Sequence, residues 1–133
     1  MAHAIAWFEI PTVDFDRAVK FYSEVLGRPF VPAPDPSGNE VGPEGERMAM
    51  FNNDASNMTD AGGAIIYSKD YQPSRDGTIV YLPVDGDLNT VLNRVEPAGG
   101  RIIAPKTLIA EGMGCWAHFE DTEGNRGGLL SME

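Results

Sequence analysis

A chain of 133 residues is long enough for one domain with its own hydrophobic core and too short for two independent ones. Twenty acidic against ten basic residues give a formal net charge of −10, a field that repels nucleic acid and so disfavours a DNA- or RNA-binding role. No apolar run approaches the ~20 residues that a membrane span needs. The N-terminus has no basic stretch, and Glu9 interrupts its apolar run, so no secretory leader is expected. A single cysteine, Cys115, excludes an intrachain disulfide and fits a reducing cytoplasm. The acidic balance makes either a solvated acidic surface or a preference for a cationic ligand.

In chain order, residues 4–14 (AIAWFEIPTVD) read as a strand running into a turn. Asp14 suits a helix N-cap, with Asp16 in the positive first turn. Phe15, Val19, Tyr22 and Leu26 follow at helical spacing beside Ala18 and Val25, and Gly27 is the expected C-cap. Short strands are expected at 28–32, 46–52 and 62–68. The intervening stretches 33–45 and 53–61 are rich in Pro, Gly, Asn and Asp and read as exposed loops.

The second half repeats the plan after about 70 residues, a period that suits a duplicated half-domain rather than a solenoid unit. GTIVYLPVD (77–85) is the strand and Asp87 the cap. Leu88, Val91, Leu92, Val95 and Ala98 form the helical stripe, and Gly99-Gly100 stop it. Strands follow at 101–110, 114–120 and 126–132. The expected fold is therefore α+β: two βαβββ modules, about 1–70 and 75–133 of a single domain, forming a cup-shaped mixed β-sheet with helices outside.

Several motifs carry a family likeness. F-E-I-P-x-x-D-x-x-R-A-x-x-F-Y runs from Phe8 to Tyr22. G-T-x-V-Y-L (Gly77 to Leu82), A-G-G-R (Ala98 to Arg101), P-K-T (Pro105 to Thr107) and D-T-E-G-N-R (Asp121 to Arg126) follow in order. In this order and spacing the chain resembles the vicinal oxygen chelate superfamily, the glyoxalase, bleomycin-resistance and extradiol-dioxygenase group. It is most like small bacterial glyoxalase-like proteins whose substrates are mostly unassigned. The resemblance implies two βαβββ modules around an open cup, and a homodimer with the cups completed near the subunit interface. In the family's glyoxalases it implies a divalent metal held by four side chains, two per module, His or Gln on the first strand and Glu on the last.

Carried onto this sequence, those ligand positions fall on Trp7, on Ile79 (Thr78 if the register slips), on Gly128 and within GGAIIY at 62–67. None matches the imidazole, thiolate or carboxylate donors that borderline metals require. The chain's two His and one Cys have no helical ligand spacing between them. No metal and no other cofactor are expected.

Strand alternation then selects the remaining candidates. Trp7 and Glu9 share one face, and Trp116, His118 and Glu120 share another. In fosfomycin-binding relatives the position three before the conserved Asp bears a ligand-contacting side chain, here His118. His118 and Glu9 are the candidate proton-transfer groups, His118 because an imidazole titrates near pH 6.5. Trp7, Trp116, Tyr81, Met48, Met50, Met113, Lys106 and Gly128 are the candidate ligand wall. Each has a structural alternative: the indoles as cup filling, Glu9 as a paired carboxylate, His118 as a satisfied core imidazole, the methionines as core filler and Lys106 as a solvated cation. Gly127-Gly128 marks a bulge or a close approach, with room for Trp7 or a ligand. Three functions follow: a binder of a small aromatic or cationic molecule, a metal-independent lyase or isomerase acting on a carbonyl compound, or an accessory module with a vestigial cup.

Overall fold

Asp14 begins the first helix as its pattern predicts. With extended backbone (φ −118°, ψ 102°), its carboxylate accepts from the Arg17 N–H at 3.1 Å, satisfying a donor that helix geometry leaves orphaned. Helix α1 (Phe15–Leu26) ends at Gly27, whose φ of 70° is the left-handed turn that glycine accommodates without strain. Its buried face is Phe15, Ala18, Phe21, Tyr22 and Val25, so Phe21 joins the stripe while Val19 and Leu26 are only partly buried. A computed structural model describes residues 4–34, 37–51 and 62–133. The whole of the expected loop at 53–61 lies outside these residues.

The first module is β1 (Trp7–Pro11), α1, β2 (Val31–Pro32), β3 (Arg47–Met50) and β4 (Gly62–Tyr67). The second is β5 (Val80–Pro83), α2 (Leu88–Leu92), β6 (Arg101–Ala110), β7 (Gly114–Glu120) and β8 (Arg126–Ser131). The two four-stranded sheets share one topology. Their orders are β1-β4-β3-β2 and β5-β8-β7-β6, with β1 parallel to β4, β5 parallel to β8, and the other pairs antiparallel. This is the α+β arrangement of two βαβββ modules that the internal repeat predicts. No helix among the described residues is long and apolar enough to cross a membrane.

The second helix is shorter than its apolar stripe. Asp87 caps it by accepting from the Asn89 N–H at 2.9 Å, but regular helix stops at Leu92. The chain continues to Gly100 through turns closed by Arg94 N–H to Val91 O, Val95 N–H to Leu92 O and Gly99 N–H to Glu96 O. Pro97 is the physical reason: it has no N–H for the Asn93 carbonyl, and its ring disfavours helical backbone before it. Leu88 and Val95 are nonetheless fully buried.

One core joins the modules. Phe21 and Tyr22 of α1 pack against Phe119 of β7 with ring centroids 6.0 and 6.1 Å apart, and Ile65, Leu82, Ala117 and Leu129 complete the inner faces of the sheets. The alternate residues of each strand point away from that core, onto what we call the open face.

The D-T-E-G-N-R turn holds this arrangement. Asp121 accepts from the Glu123 and Asn125 N–H groups at 2.8 and 2.9 Å and from the Tyr22 hydroxyl at 2.7 Å. Glu123, its side chain wholly buried, accepts from the Val13 and Asp14 N–H groups at 2.8 and 2.6 Å and from Arg17 Nε at 2.8 Å. Asn125 donates to the Pro11 carbonyl at 2.8 Å. Burial pushes the Glu123 pKa up, but its bonds from Arg17 and the backbone outweigh that and hold it below 4.5. Glu123→Ala is expected to destabilise the fold by about 2–4 kcal/mol in urea titrations, because the Val13 and Asp14 N–H groups, the Arg17 guanidinium and the Thr122 hydroxyl lose a buried charged acceptor. A depressed carboxylate pKa contributes stability above its unfolded value of 4.5 that is lost as pH falls through the folded value. The difference between wild type and Glu123→Ala should therefore shrink in acid.

Candidate functional site

Three residues define the open face of the second sheet. Gly128 on β8 pairs with Tyr81 of β5 on one side and with His118 of β7 on the other. Paired residues point to the same face, so Tyr81 and His118 flank a position with no side chain. The Tyr81 ring lies across it: a β-carbon at Gly128 would stand 2.5 Å from the ring. The tyrosine hydroxyl thereby reaches His118 Nε2 at 2.7 Å. Room at Gly128 is thus taken by Tyr81, not by Trp7.

Trp116 packs beside His118 with ring centroids 4.8 Å apart. Together with Ile109 and Leu130, these aromatic groups line a shallow cavity of about 380 Å³. Burial, reinforced by the positive charge of Arg126, lowers the His118 pKa from 6.5, so the imidazole is neutral at neutral pH. The phenol bond occupies Nε2. Among the described residues no side chain bonds Nδ1.

The open face of the first sheet carries Trp7 and Glu9 on β1, as alternation predicts. The register runs through Ala64 and Ile66 of β4 to Met50 and Met48 of β3, so both methionines share that face. Trp7 Nε1 donates to Glu9 Oε2 at 3.4 Å. Glu9 also lines a crevice of about 180 Å³ whose other residues include Tyr22, Thr78, Val80, Leu82, Phe119, Asn125 and Arg126. Glu9 and His118 therefore belong to different cavities, and no hydrogen bond joins them.

Trp7, Met48 and Met50 line neither of these cavities, and Lys106 and Met113 stand apart from them as well. Lys106 Nζ donates to Asp87 at the α2 cap at 2.9 Å, which draws it away from Trp116 and His118. Met113 sits in the β6–β7 turn and is exposed. Conversely, sequence reasoning passed over Ile109, Leu130 and Arg126. Arg126 was recoverable: it lies two residues before Gly128, hence on the same face, and pairs with Glu120.

The positions corresponding to a glyoxalase metal site carry an indole (Trp7), an aliphatic chain (Ile79), glycine (Gly128) and the apolar run of β4. These are not donors for a divalent ion. At Gly128 the Tyr81 ring fills the space where a carboxylate stem would emerge, so this residue set does not fit the group.

Two measurements check this geometry. Gly128→Ala should swing the half-exposed Tyr81 ring outward and break its bond to His118, moving the imidazole resonances in NMR at a stability cost of about 1 kcal/mol. In a pH titration, His118 should protonate only below its ordinary 6.5. Because the folded state resists that proton, stability should fall as pH drops from 6.5 through the lower folded value.

The comparisons agree with this architecture. Residues 4–127 match the model of the Glyoxalase/Bleomycin resistance protein/Dioxygenase superfamily. A glyoxylase-like domain-containing protein of Didymella fabae is 31% identical over 121 residues, covering 91% of this chain and 88% of that one. A glyoxalase/bleomycin resistance protein from Albidiferax ferrireducens superposes with a TM-score of 0.68 at 14% identity, over 97% of this chain and 98% of its own. A fosfomycin resistance protein from Listeria monocytogenes, crystallised with Mn(II), gives 0.68 at 11% identity over 100% and 95%. The two-module topology, its joining turn and these matches place the chain in the Glyoxalase/Bleomycin resistance protein/Dioxygenase superfamily.

Proposed function

We propose that this chain binds a small, flat, partly apolar molecule on the open face of its second sheet, without the metal site of the family's glyoxalases. The observation that carries this reading is the Tyr81–His118 pair lying across Gly128, with Trp116 beside it. Those groups make an apolar wall with two placed polar atoms, the composition that small-molecule sites require. The absence of donor side chains at Trp7, Ile79 and Gly128 supports a metal-independent site. We take the protein to act in the cytoplasm as a homodimer, on the strength of its lone buried thiol and the family resemblance. No nucleic acid or membrane partner is proposed.

A second reading rests on the same pair. A neutral imidazole hydrogen-bonded to a phenol is equipped for general acid–base catalysis. His118 Nδ1 would accept a proton from the carbon next to a carbonyl while Tyr81 fixes the ring, giving a metal-independent isomerase or lyase. Glu9, in the neighbouring crevice, would then contact the substrate rather than share its proton with His118.

Screening small aromatic compounds by thermal shift and tryptophan fluorescence tests both readings. Trp116→Ala should weaken any ligand found by at least about tenfold, the scale of losing a buried aromatic contact. Unchanged affinity would remove the aromatic wall from the site. His118→Ala should leave much of the affinity, and abolish turnover if the protein is an enzyme. Elemental analysis of protein purified without chelator should find no stoichiometric zinc, nickel, iron or manganese. One metal per chain would overturn the metal-independent reading.

A further inference from the structure

Among the described residues, Arg126 alone leaves a buried side-chain nitrogen unbonded. Its Nε is buried and has no hydrogen-bond partner, although a guanidinium nitrogen removed from water needs an acceptor. The neighbouring carboxylates do not supply one. Glu120, directly across the β7–β8 pair, is held by Arg75 at 3.1 Å and Arg101 at 3.5 Å. Glu9 takes the Trp7 indole N–H. Asp76, the other carboxylate on the crevice, makes no ion pair with Arg126 among the described residues. Arg126 therefore retains a buried donor without an acceptor.

The strand geometry places Arg126 on the face of the aromatic site, opposite to the core-facing Gly127 and Leu129. Arg126 and Gly128 are alternate residues of β8, so their same-face positions are about 7 Å apart, and the positive charge of Arg126 reaches His118. Resting on the functional reading above, we propose that Arg126 receives the carboxylate of an aromatic carboxylic acid. The remainder of that ligand lies over the Tyr81–His118 pair toward Trp116. An arginine fork matches a carboxylate through two parallel N–H bonds, and Nε is one of the two donors in its side-on form. The net charge of −10 slows the arrival of an anion but does not govern a partly desolvated contact. The ligand preference thus runs opposite to the cation that overall composition favours.

Benzoate and benzamide form the test, being nearly the same shape and differing in charge. Their affinities are measured by calorimetry, with His118 ring shifts in NMR locating them. Benzoate is expected to bind at least about tenfold more tightly than benzamide, the scale of a charged hydrogen bond. Arg126→Ala should erase that preference while leaving benzamide unchanged. If Arg126→Ala does not fold, Arg126→Lys should reduce the preference, since an ammonium lacks the fork. Equal binding of the two probes to the wild type overturns this inference and leaves the aromatic site standing. A preference that survives in full in either variant overturns it too. Failure of both probes to bind, with no movement of the His118 resonances, overturns the inference and the aromatic-site reading together.

Discussion

The rest of the structure depends on how two carboxylates are placed in the turn between β7 and β8. Glu123 is buried side chain and all, which would be prohibitive for an unpaired charge. It is compensated by two backbone N–H groups where β1 ends and α1 begins, and by the Arg17 guanidinium. Asp121 is buried beside it, and burial raises its pKa while bonds from Asn125 and Tyr22 oppose that rise. The bonds from Val13, Asp14, Arg17 and Tyr22 span about a hundred residues of sequence, and none of these can form until both modules are in place. A polar turn on the second module thus fixes the approach of the helix belonging to the first. The Phe21–Phe119 and Tyr22–Phe119 contacts lie beneath that clamp.

With the clamp set, the faces of the sheets follow. Leu129 and Ala117 must point into the shared core, so Gly128, His118 and Trp116 point outward on the open face. The absence of a side chain at Gly128 then acquires a consequence. In the family's glyoxalases a carboxylate on this position reaches toward a metal, whereas here the space above the backbone is filled from the adjacent strand by Tyr81. A phenol bonded to an imidazole occupies the level at which an ion's ligand would stand. Losing a donor and gaining an aromatic neighbour are one packing event, since the ring and a β-carbon at 128 cannot coexist.

The fold was legible from particular residues. Asp14 and Gly27 bounded α1, the matching dipeptides Val13-Asp14 and Val84-Asp85 exposed the duplication, and the alternation in GCWAHFE assigned Trp116 and His118 to one face. The end of α2 was misjudged because an apolar stripe survives in turns of irregular helix, where Pro97 rather than the stripe decides the hydrogen bonding. Lys106 was placed with the ligand wall by its strand position alone, and Asp87 draws it elsewhere. Arg126 was passed over because it was absorbed into a family motif instead of being read by its side-chain face.

By itself the sequence determined the two-module α+β plan, the helix caps, and the lack of metal donors at the positions the family resemblance implies. These are local or periodic properties: capping chemistry, hydrophobic spacing and the identity of single side chains. Only the tertiary structure decided what fills Gly128, that Tyr81 meets His118, and that Arg126 has a buried nitrogen without an acceptor. Each of those depends on which residues the register sets opposite one another across β5, β8 and β7. Cross-strand register is a relation between distant segments, and no single segment encodes it.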